Sequence, residues 1–350
     1  MAEVNRRDFS SLQQAVDSLP SGSHSSITVP AGIWDETNRV HIPSDKTVSI
    51  LGQGIDRSVL RWSSTDGGIV VNVVDYQRSF VLKDISLETT VNGGGIALET
   101  IHPSANASPY RTVDLSALSV RPASATGGYW SHGLVLSNAW NGRVEGFHFV
   151  GKNGTHDSKT AIFLKGTTVN FLISNFHAVW VETALRTDSA TGDISEEISL
   201  VSGKLVDVGC GVWLQKPGGG LTLVGVHIDA RDAGVVLFGR DDMELTGLSI
   251  YSRNSNPNFL GILIDGGWGG RIFGNVIHRA SGTGSSPNGI VLTEANNFVV
   301  NGNTITGMDT AVWLKSKTRN NLIANNLSVG CGTSILNQGT GNSETGNYST

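Results

Sequence analysis

The sequence is short of charge, of cysteine and of long apolar runs. Charged residues make up 16% of its 350 positions, and the net charge is -5. Nucleic-acid binding leans on lysine and arginine that displace counterions from phosphates, so this mildly acidic balance argues against such a binder. So low a charge fraction also argues against a disordered chain. The two cysteines, Cys210 and Cys331, sit in "VGCGV" and "VGCGT". Two thiols make no disulfide framework and have no metal-ligand spacing, which leaves them as small buried thiols at repeated turn positions. No run is long and apolar enough to cross a membrane, so no membrane insertion is expected. The opening "MAEVNRRDFSSLQQAV" lacks the apolar centre of a signal peptide, and no secretory leader is expected from it. Glycine, by contrast, is abundant at 44 residues, which suits many short strands joined by tight turns.

What the sequence does have is a repeat. "GLVL" at Gly133 returns as "AIFL" at Ala161, "GVWL" at Gly211, "GVVL" at Gly234, "GILI" at Gly261, "GIVL" at Gly289 and "AVWL" at Ala311. With a weaker copy at Ala184, successive starts lie 22 to 28 residues apart. A second segment follows about ten residues on: "VEGFHF" at Val144, "LVGVHI" at Leu223, "LTGLSI" at Leu245, "IFGNVI" at Ile272 and "VNGNTI" at Val300. Alternation has period two, so both segments are strands. The Gly or Asn in the middle of each second segment suits a left-handed backbone. Asn275, Asn303 and Asn326 are placed to stack as a ladder of amides.

One strand pair of this size cannot close a core, whereas stacked coils can, each bonding to the coils above and below. The pattern therefore predicts a parallel β-helix. Leu134, Ile162, Val212, Val235, Ile262, Ile290 and Val312 form its inward stack. The leucine-rich signature is absent, and a propeller blade needs about 40 residues.

The N-terminal stretch adds a cap. "RDFSSLQQAVDSL" places Phe9, Leu12, Val16 and Leu19 at helical spacing, a short amphipathic helix over the open end of the sheet. "SSITVPAGIW" and "KTVSILGQGIDRSVLRW" follow. A capping helix, a strand with "VPAG" and then "VSILGQG" resembles the start of the pectate-lyase-like right-handed β-helix superfamily, and most closely its bacteriophage tailspikes and polysaccharide depolymerases. The resemblance runs from about Asp8 to Asn337. It implies an all-β, right-handed, single-stranded parallel β-helix with a short N-terminal capping α-helix. The expected division is a cap and lead-in over 1–25, the β-helix over 26–337 and a polar tail without strand pattern over 338–350. The superfamily holds lyases, hydrolases, epimerases and inactive adhesins, so the resemblance specifies fold far better than activity.

Outward positions of the first strands are Val135, Phe163, Arg186, Trp213, Val236, Leu263, Val291 and Trp313. This apolar stripe reads as an interface in a homotrimer, or Trp213 and Phe163 are platforms for sugar rings.

Two segments leading into new coils align without gaps, "HAVWVET" from His177 and "HIDARDA" from His227, with "KLVDVGC" from Lys204 between them. Stacking puts His177, Lys204 and His227 in one column, and Glu182, Gly209 and Asp232 in another. At strand spacing the backbones of Glu182 and Asp232 would lie about 10 Å apart. Carboxyls roughly 6.5 to 9.5 Å apart suit an inverting glycosidase. Asp207 and Asp229 lie nearby as further catalytic candidates. Arg231 is placed to hold an anionic sugar or a carboxylate, and Trp180 offers a stacking face. Against this stands the ordinary use of Asp as a turn residue, since Asp309 shares the column of Glu182 and Asp232. The His-Lys-His column would equally serve a uronate lyase. The histidines have no convergent third ligand, so no metal and no cofactor is expected. A remoter patch pairs Asp188 and Asp265 with Trp140 and Trp268.

The resemblance, together with the Glu182 and Asp232 spacing, implies an enzyme cleaving a bacterial surface polysaccharide, glycoside hydrolase first and lyase second, with a non-catalytic adhesin as the competing class. The resemblance implies a virion tail component acting outside the cell.

Overall fold

A computed structural model of the chain describes residues 2–73, 79–102, 112–125, 127–187, 195–215, 218–253, 256–279 and 286–350. The protein is nearly all β, 67% strand and 3% helix. It forms two compact units, Met1–Glu182 and Thr183–Thr350. Every named strand pairing described is parallel, and each joins one coil to the next.

The first unit begins with the strand Ala2–Asn5, parallel to His24–Thr28, with the helix Leu12–Ser18 between them. Leu12, Ala15 and Val16 are its buried face. Phe9, expected inside the helix, precedes it, because Ser11 takes the N-cap and accepts from the Gln14 amide. A buried ion pair fixes this cap. Arg6 lies 2.7 Å from Glu36, whose carboxylate also accepts the Leu12 amide at 2.9 Å. Burial raises the Glu36 carboxyl above its ordinary value, against the opposing pull of Arg6. Deeper in the unit, the strand Val113–Pro122 lies between Phe80–Thr89 and Arg143–Val150, with Leu115 opposite Leu82 and Val144. Leu134 and Ile162 are stacked as register partners, as the repeat predicts, and Leu98 continues their column on the preceding coil.

The second unit repeats the pattern with greater regularity. Leu185, Val212, Val235, Ile262, Ile290, Val312 and Ile335 form one continuous register column. All but Ile335 are fully buried. Each alternate strand turns a corner at a left-handed residue: φ is +63° at Gly225, +62° at Gly247, +63° at Gly274 and +66° at Gly302. Without a Cβ this conformation carries no steric penalty.

Directly after that corner runs the asparagine ladder. Asn275 donates its amide Nδ2 to Asn303 Oδ1 at 2.9 Å, Asn303 to Asn326 at 2.8 Å, and Asn326 to Asn347 at 3.0 Å. The backbone N–H of each donor residue reaches the same oxygen. A second ladder, not expected from the sequence, joins Asn321 to Asn342. Both ladders end in the polar tail, which differs from its expected lack of strands. Ser343–Thr345 pairs with Leu322–Ala324, and Tyr348–Ser349 with Leu327–Val329. Their side chains face solvent, so no apolar alternation marks them; backbone pairing and Asn342 and Asn347 hold them.

Two other expectations change. Cys210 is buried, but Cys331 is only half-buried. The outward stripe is not wet throughout. In the second unit Val236 is 2% exposed, covered with Cys210 and Ala233 by Trp213, Phe238, Leu260 and Leu263. Side chains of adjacent coils shield it, an effect invisible in one repeat.

Candidate functional site

The polar constellation sits in the second unit, on the strands Ser195–Leu214, Thr222–Phe238, Ser249–Ser252 and Val276–Arg279. Register places Lys204 beside His227 and Ser249, and Asp229 beside Tyr251 and His278. The pairing of the first two strands slips twice, between Val206 and Val208 and again between Val208 and Cys210. A bulge re-aims the side chains it displaces. The first slip leaves Asp207 with φ +51° and 6% exposure. The second puts Arg231 and Asp232 side by side between the buried Ala230 and Ala233.

Charge then alternates across three coils. Arg231 donates Nε to Asp207 Oδ1 at 2.9 Å, and its Nη2 lies 2.8 Å from the same oxygen. Arg253 lies 3.7 Å from the other Asp207 oxygen and donates Nη1 to Asp229 Oδ2 at 2.6 Å. Asp229 Oδ1 is buried and accepts no hydrogen bond among the described residues. Asp232 is exposed and accepts from Asn256 Nδ2 at 2.8 Å. Asn256 also bonds the Arg231 carbonyl at 3.2 Å, which ties the two together. Tyr251 and His278 stack with centroids 5.4 Å apart.

Of the residues singled out in the sequence, the structure brings together Asp207, Asp229, Arg231 and Asp232, with Lys204 and His227 as register partners. Trp213 lies instead in the apolar cluster, its ring 6.2 Å from Phe238. His177, Trp180 and Glu182 belong to the first unit. His177 packs edge-on to His148 at 5.5 Å. Trp180 has φ +56°. The Glu182 carboxylate accepts from Lys159 Nζ at 2.9 Å, with both side chains exposed. Asp188 lies outside the described residues.

Arg253, Asn256, Tyr251 and His278 escaped the sequence reading. Tyr251 and His278 each follow the last isoleucine of a repeated segment, an outward position that marks them in retrospect. Arg253 and Asn256 stand in an irregular connection, where no period points to them. Among the described residues no group of three or more histidine, cysteine or acidic side chains is arranged to hold a metal ion. No described helix is long and apolar enough to cross a membrane.

Comparison with known proteins agrees with this architecture. The family described as "Right handed beta helix region" matches residues 210–348. No curated protein matches the sequence. Among solved structures, the A-module of mannuronan C-5 epimerase AlgE6 from Azotobacter vinelandii is 18% identical, with a TM-score of 0.57 over 99% of each chain. The catalytic unit of a GH87 alpha-1,3-glucanase from Streptomyces thermodiastaticus is 13% identical, with a TM-score of 0.53 over 99% of this chain and 68% of that one. ORF18 of Geobacillus virus E2 is 12% identical, with a TM-score of 0.50 over 99% and 61%. At such identities the likeness is one of fold, and by the family match and the structural neighbours together the chain has the right-handed parallel β-helix fold.

Proposed function

We propose that this β-helix acts on a polysaccharide, as a glycoside-hydrolase-type depolymerase of a bacterial surface glycan, and that its reacting groups lie on the bulged strands of the second unit. The observation that carries the reading is Asp229. Its Oδ2 is fixed by Arg253 while its Oδ1 is buried without a partner among the described residues. A buried carboxylate oxygen left open is costly in a purely structural role and is a place to hold a water.

Asp229 and Asp232 are three positions apart on one strand, about 10 Å at most along the backbone. That backbone span is compatible with the roughly 6.5 to 9.5 Å carboxyl separation of an inverting pair. Asp229 Oδ1 takes a proton from the attacking water as its oxygen bonds the anomeric carbon. Asp232 gives a proton to the glycosidic oxygen as that bond breaks. Arg231 and Asn256 hold the strand between them, and His227, Lys204 and Tyr251 line the approach. Two of the similar folds carry names of polysaccharide chemistry and one comes from a virus, which favours a glycan substrate and a virion setting.

A second reading has one observation in its favour. Lys204 and His227 are register partners, the equipment of a uronate lyase: charge neutralisation and a base. As an adhesin the same face would bind without cleaving.

Substitution tests the assignment. Asp229→Asn and Asp232→Asn each abolish cleavage of the glycan while binding stays as in the parent and circular dichroism shows the fold retained. Full activity in either variant removes that carboxylate from the mechanism. Glu182→Gln retains activity if the acids are those of one strand, and its loss of activity would bring Glu182 into the reaction. For the homotrimer, light scattering gives three times the chain mass; a monomer removes that part.

A further inference from the structure

Away from the bulged strands, the second unit has a groove of about 420 Å³ lined by Trp268, Glu294, Asn296, Lys317, Arg319 and Asn320. Trp268 is 61% exposed, the most exposed tryptophan among the described residues. A large ring left in water is unusual enough to ask what it meets.

Its setting is built. Trp268 stands in "DGGWGG", between Gly266 (φ +80°), Gly267 (+122°), Gly269 (+72°) and Gly270 (+157°). A Cβ on Gly267 would collide with the Arg240 carbonyl, and one on Gly270 would lie 2.6 Å from the Phe298 ring. Only glycine lets this backbone lie flush on its neighbours. The Trp268 backbone N–H is anchored on Asp241 Oδ1 at 2.7 Å. The segment thus holds the indole out from a tightly seated backbone.

Below the ring the polar groups are in register. Trp268 is the partner of Asn296, and Asn296 of Arg319, so three consecutive coils present an indole, an amide and a guanidinium. At strand spacing the row spans about 10 Å. Glu294 takes Lys317 as its ion-pair partner, which uses that cation. Arg319 is exposed and has no ion pair among the described residues. The Asn296 side-chain oxygen is buried without a hydrogen-bond partner.

We infer that this groove is a binding subsite for an acidic sugar unit, with a pyranose ring stacked on Trp268, hydroxyls bonded to Asn296 and Asn320, and a carboxylate held by Arg319. An aromatic face binds the apolar side of a sugar ring, amides take its hydroxyls, and a guanidinium matches a carboxylate in plane. Trp268 is the one apolar side chain among the residues lining the groove, which disfavours a protein partner. The inference rests on the reading of the chain as polysaccharide-acting, and supplies a grip on the glycan separate from the bulged strands.

The test is titration calorimetry with tri-galacturonate and with neutral maltotriose, on the parent chain and on Trp268→Ala, Arg319→Gln and Asp229→Asn. Tri-galacturonate binds the parent more tightly than maltotriose does. Trp268→Ala weakens binding of both about tenfold, and Arg319→Gln weakens only the acidic one, by about tenfold, as expected for a lost charge-assisted pair. Unchanged thermal unfolding shows that both variants fold. Asp229→Asn removes turnover, so its titration reads binding alone, and failure of the proposed chemistry and failure of this subsite are read separately. No binding of tri-galacturonate, or binding that neither Trp268→Ala nor Arg319→Gln weakens, overturns the subsite.

Discussion

Arg231 grips Asp207 from the neighbouring coil, with Nε at 2.9 Å and Nη2 at 2.8 Å from one carboxylate oxygen. Asp207 reaches that position only because a bulge bends its backbone to φ +51° and turns it under the surface. Removing the cation takes from a nearly buried carboxylate the guanidinium that lies against it at 2.8 Å. Arg231→Met is therefore expected to lower stability by about 2 kcal/mol, discounted for the partial exposure of the arginine. Urea unfolding checks it, and a change under about 0.5 kcal/mol, typical of a surface site, would contradict the pairing.

The asparagine ladder makes a sharper stability prediction. Asn303 is fully buried and both donates to Asn326 and accepts from Asn275. Asn303→Ala leaves two donors of Asn275 without their acceptor, at a cost of about 3 kcal/mol. The exposed pair of Asn325 and Asn301 serves as control. Asn301→Ala stays within about 0.5 kcal/mol by the same unfolding measurement.

Acid should weaken the first unit through Asp114. Burial raises this carboxyl, but Arg143 at 3.1 Å and Lys83 at 3.3 Å outweigh it and hold the value below the ordinary one. The folded protein then binds this proton less readily than the unfolded chain. The stabilisation is present above the ordinary aspartate value of about 3.9 and disappears as pH falls through the lower folded value. Asp114→Asn is expected to flatten this part of the acid limb in thermal melts taken across that range. An unchanged limb contradicts the assignment.

The two thiols should differ. Burial pushes the Cys210 thiol far up, with the nearby Asp232 charge adding to it. A thiol kept neutral and covered does not react as a nucleophile. A thiol-reactive dye is expected to label half-buried Cys331 in the native protein, and Cys210 only after denaturation. Equal labelling of both in the native state would contradict the apolar cover provided by Trp213 and Phe238.

Much of the fold is legible in the repeat because burial is periodic there. Val235 and Ile262 occupy inward positions of successive coils, and the sequence alignment of "GVVL" with "GILI" pairs them as the structure does. The amide ladder is legible for a similar reason, as its asparagines recur at one place in each coil. The tail strands are not, since Ser343–Thr345 buries nothing and leaves no period. The site was half legible. Asp207, Asp229 and Arg231 were marked by alignment of adjacent coils, but Arg253 and Asn256, which join them, lie in a connection whose path no pattern dictates. Val236 shows the remaining gap: an outward residue becomes core once neighbouring coils supply Trp213 and Leu263 to cover it.

The central claim is cleavage of a polysaccharide by the acids of the bulged strands. It is tested most directly by incubating the protein and its Asp229→Asn variant with a panel of bacterial capsules and lipopolysaccharides. New reducing ends and the ultraviolet absorbance of unsaturated uronate are measured together. The account predicts reducing ends without absorbance from the parent protein and neither signal from the variant. Absorbance alongside reducing ends would contradict hydrolysis in favour of elimination. Silence from the parent on a glycan that it binds would contradict catalysis altogether and leave an adhesin.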